Sequence, residues 1–250
     1  MIYTFISRVC FSYYASSAKA IYEYWVDIDP LMSNLFNCVN PGIYALMAYL
    51  LRRHYLNMSW HTLTKVSVCG SIFTSFVATM LTVFKIIRSP MFTLLMEQLT
   101  NFFDAISYYV VIFSIVEVAE PGYESTSYSL ITTVANLGIP FAVSLSNMVG
   151  SQFTVYDKDL KQDTSKVRWQ VAYCYFIMYG LRLLNLLALP LLPKQKKYAR
   201  ELKMFGGSSL LMARIVFGVS GVALFWSLLT TLLSVFASTA CLTIAGGEGC

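Results

Sequence analysis

The sequence predicts an all-α membrane protein whose transmembrane helices are joined by short loops. Only 12% of its 250 residues are charged, whereas about a quarter are charged in an ordinary soluble domain. Its mean hydropathy is +0.61, and apolar stretches of about twenty residues, each long enough to cross a bilayer, recur along the chain. These observations argue against a soluble enzyme and exclude an intrinsically disordered chain.

Seven spans, A to G, account for most of the chain. They cover residues 3–22, 33–52, 62–87, 91–117, 126–149, 169–192 and 210–236, with boundaries accurate to a few residues. Spans A to F make up a predicted bundle over 1–193, which is followed by a basic cytosolic linker over 194–209, by span G and by an outer tail over 237–250. Span A has Arg8 where a signal peptide has its apolar segment, so we interpret A as a mature helix.

The charges of the loops predict the orientation of the chain in the membrane. The A–B loop is acidic, whereas the B–C loop carries Arg52 and Arg53 and the linker after F carries Lys194, Lys196 and Lys197. In a seven-span protein these two basic segments lie on the same side, which we expect to be cytosolic. The N-terminus is then cytosolic and the C-terminus is outside, in a multi-pass protein that we expect in the plasma membrane.

Six of the spans divide into two triplets, A-B-C and D-E-F, and the second triplet is inverted relative to the first. The middle span of each triplet contains helix-breaking residues: Pro41 and Gly42 in B, and Gly138 and Pro140 in E. In lipid, a helix break is tolerated only where protein or a water-filled cavity satisfies the freed backbone groups. Matching breaks in two inverted units therefore predict a transporter-like binding region.

The first span of each triplet carries charges at bilayer depth. Span A has Arg8 and Lys19, and span D has Glu97 and Asp104 with Asn101 between them on the same face. On insertion scales such a charge costs at least about 2.5–3.5 kcal/mol, so it must face protein, a partner charge or water. Because the two sets have opposite signs, we expect A and D to meet across one cavity.

Several interpretations of these charges stay open. They bind a substrate or a proton, or they form only a structural ion pair, or some of them, notably Arg8, lie near the interface and snorkel to it. Arg182 in span F either meets an anionic group or pairs with a neighbouring helix. Aromatic residues near the charges, such as Tyr108, suit a planar ligand, although helix packing and interfacial belts are the commoner reason for such residues.

Several long and specific strings carry no catalytic signature. They occupy 56–60, 116–124, 128–137, 146–147, 167–171, 191–196 and 238–250. Together they resemble the folate–biopterin transporter family of the major facilitator superfamily. The resemblance implies a twelve-helix carrier, made of two six-helix bundles, for proton symport of pteridines, folates or related small solutes.

On this resemblance, spans A to F form a six-helix major-facilitator-type bundle of two inverted three-helix units, and G is one extra C-terminal transmembrane helix. The first helix of each triplet lines the cavity. The implied partners are a solute of the pterin or folate class, the lipid bilayer, and a second six-helix bundle or a full-length relative. Because the site in this superfamily lies between two bundles, the alternative is a truncated, non-transporting subunit that assembles with or regulates a full-length transporter.

The D–E loop is acidic, with Glu117, Glu120 and Glu124. It is either a solvated loop or one half of a gating latch whose natural partners are Arg52 and Arg53. The basic linker either only marks the cytosolic side or also attracts anionic lipid.

The remaining motifs limit the chemistry of the chain. Cys241 and Cys250 lie beyond G on the predicted outer side, where oxidising conditions allow a disulfide between them. Nucleotide-binding and metalloprotease motifs are absent from the sequence, and its two histidines do not form a metal site. We therefore predict no enzyme activity, no metal, no cofactor and no nucleic-acid binding.

Overall fold

A computed structural model describes residues 1–55, 58–119, 122–153, 155–205 and 209–245, without the side chains of residues 124, 202 and 203. Over these ranges the secondary structure is helical and contains no strand. Five of the described helices are long and apolar enough to cross a membrane. The prediction of an all-α, multi-pass membrane protein is therefore confirmed.

The helices follow the predicted spans closely, except that spans A and B are each divided into shorter pieces. In chain order they are α1 (Ile2–Ser12), α2 (Ala18–Ile21), α3 (Pro30–Asn37), α4 (Asn40–Leu50), α5 (Trp60–Val83), α6 (Pro90–Val118), α7 (Glu124–Gly150), α8 (Asp157–Leu160), α9 (Ser165–Leu184), α10 (Lys196–Phe205) and α11 (Leu210–Val235). Single π-helical turns extend α2 over Tyr22–Val26 and α4 over Leu51–Tyr55, and a 3₁₀ segment extends α9 over Asn185–Leu191. The predicted linker after span F thus contains a helix, α10.

Span A is interrupted where the sequence predicts a continuous helix. The chain leaves α1 at Tyr13, which has an extended backbone, and becomes helical again at Ala18. The Ser146 hydroxyl on α7 donates a hydrogen bond to the Tyr14 carbonyl, and the Tyr14 hydroxyl donates to Asn147 Oδ1 at 3.2 Å. Polar side chains of α7 thus satisfy the interruption, as a membrane interior requires.

Of the two predicted helix breaks, only the one in span B is present. There α3 ends at Asn37 and α4 begins at Asn40, so Pro41 falls in the first turn of α4, where its missing N–H costs nothing. In span E, α7 runs without interruption through Gly138 and Pro140. The structure gives Gly138 another role: a Cβ atom there would lie 3.2 Å from the Phe5 carbonyl oxygen, so glycine lets α1 approach α7 closely.

The helix pairings repeat within the bundle. In the first pairing α1 packs on α7, and in the second α4 packs on α6. Likewise α5 packs on α6, while α9 with its 3₁₀ extension packs on α1. When spans A, B and C are exchanged for D, E and F, the contact of α1 with α7 becomes that of α6 with α4. The contact of α5 with α6 becomes that of α9 with α1. The contacts of the two triplets thus match under this exchange.

Helix α11 packs against α7 on the outside of the bundle. Its buried face consists of small residues, including Ser220, Ala223 and Ser227, which allow close helix contact in lipid. The Trp226 Nε1–H donates to Ser144 Oγ at 3.0 Å and fixes the register of the pair. Span G is thus an added helix that packs on α7.

A cluster that we call the clasp holds one end of the bundle together. Arg88 donates to both carboxylate oxygens of Asp163 at 2.8 and 2.9 Å, and Arg168 Nε donates to the same carboxylate at 2.8 Å. The Arg88 guanidinium also lies 4.6 Å from the centroid of the Trp25 ring. The clasp therefore joins the segments that follow α2, α5 and α8, and we call this end of the bundle the clasp end.

The opposite end is held by contacts between α6 and α10. Glu117, in the last turn of α6, pairs with Lys196 at 3.2 Å and with Arg200. The loop before α5 joins this end, since the Trp60 amide donates to the Lys194 carbonyl at 2.9 Å. We call this end the α10 end.

Candidate functional site

A cavity of about 550 Å³ lies between α1, α4, α6 and α7. We call it the large cavity. Its polar and aromatic walls include Arg8, Phe11, Tyr44, Asp104, Tyr108, Tyr128 and Asn136. The structure thus brings Arg8 of span A and Asp104 of span D to one cavity, whereas Lys19 and Glu97, which were expected there as well, do not line it.

Arg8 enters the large cavity from α1. Its Nη2 donates to Asn136 Oδ1 on α7 across a long distance of 3.4 Å. Its Nε is buried and has no hydrogen-bond partner among the described residues. A guanidinium that is held so loosely keeps donors for a ligand, and a carboxylate is the group that its planar fork fits best.

Asp104 and Arg182 form a loose and largely buried ion pair. Arg182 Nη1 lies 3.7 Å from Asp104 Oδ2, whereas a charge-assisted hydrogen bond usually spans about 2.7–2.9 Å. The Asp104 side chain is only 20% exposed, and the Arg182 side chain only 12%. Within the described part of the chain, Asp104 Oδ1 and Arg182 Nε have no hydrogen-bond partner. The pair therefore retains unused hydrogen-bonding capacity inside the bundle.

A second cavity, the small cavity, has a volume of about 290 Å³ and lies between α2, α5, α6 and α9. Its lining contains Glu97, Asn101, Asp104 and Arg182, so it gathers four of the predicted site residues. Hydroxyl groups of α5 and α6 complete much of its wall: Ser75, Thr79, Thr82, Thr93 and Thr100. Asp104 borders this cavity as well as the large one.

Asparagines of the two middle spans contact the first span of the other triplet. Asn101 Nδ2 on α6 donates to Asn40 Oδ1 at 2.9 Å, at the point where α4 begins. The counterpart is the contact between Arg8 and Asn136. Asn40 and Asn136 were not among the predicted site residues, although each is an amide inside a middle span and so could have been recognised from the sequence.

Aromatic rings line the large cavity beside its charged groups. Tyr44 meets Tyr108 edge to face with ring centroids 5.3 Å apart. Phe11 lies against the Arg182 guanidinium at 5.7 Å, and Tyr128 adds a ring from α7. Tyr108 was expected near the charges, but the other three were not, because they come from three different spans. Such rings offer flat faces to a planar ligand.

Lys19 does not join the other predicted site residues. It is exposed and lines neither cavity. The physical reason is the interruption after Ser12, because α2 does not continue the helical face of α1. A single helix over span A would have kept Arg8 and Lys19 eleven residues apart, or about three turns, on one face.

Glu117 of the predicted gating latch has other partners than expected. Glu117 pairs with Lys196 and Arg200 of α10, not with Arg52 or Arg53. Arg53 instead donates to the hydroxyl of Tyr49, one turn earlier on its own helix, and lies over that ring. The basic linker forms α10, which packs against α6, so the residues that contact Glu117 come from this linker and not from the B–C loop.

Some residues of the predicted latch and of the predicted disulfide are not among those that the structure describes. Glu120 and Cys250 lie outside the described residues, as does the side chain of Glu124. Cys241 is disulfide-bonded, and its pairing with Cys250 stays a prediction.

No family model, no curated protein and no solved structure matches this chain. A functional assignment therefore depends on the site itself. Over the described ranges, no group of three or more His, Cys, Asp or Glu side chains is placed to hold a metal ion. The site offers a cavity of ligand size, a loosely held arginine, aromatic faces, and a buried carboxylate that can take up a proton.

Proposed function

We propose that this chain is a membrane transport bundle for planar solutes of the pterin or folate class, coupled to protons, and that it forms half of a twelve-helix carrier. The supporting fold features are the paired triplets, in which α1 and α6 both border the large cavity. This is the arrangement expected of a major-facilitator-type bundle.

The observation that carries the proposal is that Arg8 and Asp104 face one cavity while both keep unsatisfied polar atoms. A volume of about 550 Å³ lies within the usual range for small-molecule sites, about 300–1,000 Å³. A pteridine ring is flat and suits the faces of Tyr44 and Tyr108. The carboxylates of a folate tail suit the guanidinium of Arg8.

Proton coupling follows from the loose ion pair. When Asp104 takes up a proton it loses its charge, and Arg182 then lacks its partner. Arg182 lines the small cavity, but its guanidinium lies against the Phe11 ring of the large cavity, so an anionic group of a solute held there can replace the lost carboxylate charge at bilayer depth. Proton uptake and binding of an anionic solute thereby favour each other, as a symport mechanism requires.

The test is binding of folic acid and biopterin to the full chain in lipid nanodiscs, with Arg8→Gln as the variant. Loss of a hydrogen bond to a charged group costs about 1.5–3 kcal/mol, so folic acid should bind about 10-fold to 150-fold more weakly. Arg53→Gln, which removes a charge outside both cavities, is the matched control and should bind as the parent does. Equal affinity of the Arg8→Gln variant and the parent would remove Arg8 from the site.

An exposed cavity wall favours a second candidate function, that of a non-transporting subunit. Tyr108 and Tyr128 line the large cavity but are 41% and 43% exposed, so another bundle could cover this face. Purification from native membranes separates the two functions. A chain that binds neither solute but co-purifies with a carrier is a subunit, whereas solute binding by the isolated chain supports the transport bundle.

A further inference from the structure

We propose that α10 is an interfacial helix that binds anionic phospholipid, and that the lipid phosphate competes with Glu117 for Lys196 and Arg200. Helix α10 lines neither the large nor the small cavity, so this lipid site does not depend on the proposed transport function. Lipid binding gives the basic linker a second role besides marking one side of the membrane.

Both ends of α10 are tied to membrane-spanning helices. Lys196, the first residue of α10, comes five positions after the end of the spanning segment Ser165–Leu191. The spanning helix α11 begins at Leu210, five positions after Phe205, the last residue of α10. Five residues of chain reach at most about 18 Å. Each end of α10 is therefore held close to the membrane surface.

The composition of α10 keeps it at that surface. Half of its ten residues are charged, and charged side chains are costly inside the hydrocarbon core. A helix of this length rises by about 15 Å, which is only about half the thickness of the core. It packs on α6, and its Ala199 is fully buried in a hydrophobic cluster of the bundle. Helix α10 therefore lies at the membrane surface and against the bundle.

One face of α10 exposes aromatic side chains. Tyr198 and Phe205 are seven residues apart, or about two turns, so they share this face. The Tyr198 residue is 49% exposed and the Phe205 residue 86%. A phenylalanine ring is unfavourable in water, but at the membrane surface it enters the boundary between headgroups and acyl chains. Tyrosine is common at the depth of the headgroups. This face therefore fits a lipid surface.

Basic side chains around this face give it a surplus of positive charge. Lys194 and Lys197 are exposed and form no ion pair among the described residues. Lys196 and Arg200 share one carboxylate, that of Glu117. Because the loop charges predict that this end is cytosolic, it meets the leaflet that carries anionic lipid, which attracts basic segments next to the membrane.

Glu117 and a lipid phosphate are competing anions for the same two side chains. The Lys196 side chain is 56% exposed and that of Arg200 is 60% exposed, so a phosphate can reach both of them. Ion pairs with such exposed partners contribute little to stability. The guanidinium fork of Arg200 fits a phosphate as well as it fits a carboxylate. A phosphate at the membrane surface can therefore replace Glu117.

Native mass spectrometry of the full chain in detergent micelles, titrated with phosphatidylserine or phosphatidylcholine, measures this binding. The parent should bind phosphatidylserine at least about fivefold more tightly, and Lys197→Gln should weaken that binding about fivefold. Lys166→Gln makes the same change at an exposed position toward the clasp end and should bind as the parent does. Equal affinity for the two lipids, or no effect of Lys197→Gln, overturns the proposal.

Inorganic phosphate separates a lipid site from a site for a free anion. Because it lacks acyl chains, it should not displace bound phosphatidylserine at the concentrations that saturate the lipid. Displacement would mean that the basic residues hold a free phosphate, and it would overturn the assignment to lipid.

Glu117→Gln tests the competition. The change removes the internal anion of Lys196 and Arg200, so phosphatidylserine should bind about fivefold more tightly than to the parent. The affinity for phosphatidylcholine should not change. Unchanged or weaker binding of phosphatidylserine would show that these two side chains do not reach the lipid and would overturn the competition.

A photo-crosslinker at Phe205 identifies what covers the aromatic face. The chain is expressed with benzoylphenylalanine in place of Phe205, which is exposed enough to accept the larger ring. Irradiation of native membranes should add the mass of one phospholipid to the chain. Cross-linking to a protein, either a second copy or another chain, would assign this face to a protein partner and overturn the proposal.

Discussion

The clasp and the site contain the same pair of residue types, aspartate with arginine, in two different states. In the clasp, Asp163 accepts three hydrogen bonds from Arg88 and Arg168 at 2.8–2.9 Å. In the site, the closest contact of Asp104 with Arg182 is 3.7 Å and polar atoms on both sides are unpartnered among the described residues. The comparison teaches that a saturated pair stabilises the fold, while an unsaturated pair keeps capacity for a ligand or a proton.

The environment of Asp163 agrees with a structural role. Burial raises the pKa of its carboxyl, but the hydrogen bonds and charges of Arg88 and Arg168 lower it more, so the pKa falls from 3.8 to about 2. The carboxylate is therefore ionised at all physiological pH values and cannot exchange a proton there. Removing this charge should weaken the fold and leave the chemistry of the cavities unchanged.

Asp104→Asn has the largest expected effect on function. It removes the charge of the unsaturated pair and should lower folic acid uptake by more than about tenfold in cells that express the full chain. Because Arg182 then lacks its counter-charge at bilayer depth, the unfolding midpoint should fall as well, and uptake is therefore compared per folded molecule. Asp27→Asn, at an exposed position with a left-handed backbone that asparagine tolerates, is the control. Normal uptake by the Asp104→Asn variant would exclude this carboxylate from the mechanism.

Asp163→Asn should give the converse result. It leaves Arg88 and Arg168 without their shared anion and should cost about 1–2 kcal/mol of unfolding free energy, after allowance for the partial exposure of the cluster. In a chain of this size that corresponds to a fall of about 2–8 °C in the apparent unfolding midpoint in detergent. Uptake per folded molecule should not change. A loss of uptake without a loss of stability would contradict the division of roles.

The pH dependence of stability should come from the clasp. Because the pKa of Asp163 is lowered in the folded state, its contribution to stability is complete above the ordinary value of 3.8 and is lost as the pH falls toward about 2. The unfolding midpoint of the parent should therefore fall more steeply than that of the Asp163→Asn variant between about pH 4 and pH 2. Parallel curves for the two proteins would mean that the clasp does not contribute this stability.

Much of the fold follows from the sequence, because the lengths of apolar stretches are local information. Helix α6 covers Pro90–Val118 where 91–117 is predicted, and α11 covers Leu210–Val235 where 210–236 is predicted. The interruption of span A was not predictable in this way. It contains neither proline nor glycine, and the group that satisfies it, Ser146, is more than a hundred residues away in the chain.

The site is predictable only in part for the same reason. Charge at bilayer depth identifies Arg8, Asp104 and Arg182 from the sequence alone, since each is costly there without a partner. Which of them pair, and which cavity each one faces, depends on how distant helices pack. Lys19 shows the limit, because a change of direction between α1 and α2 removes it from the cavities.

The central claim is that Asp104 takes up a proton when the solute binds. It is tested most directly by measuring the protons bound per molecule of folic acid bound, with a pH-indicator dye in weakly buffered nanodisc samples. The account predicts about one proton taken up by the parent and none by the Asp104→Asn variant. Folic acid binding without proton uptake by the parent, or with equal uptake by both proteins, would contradict it.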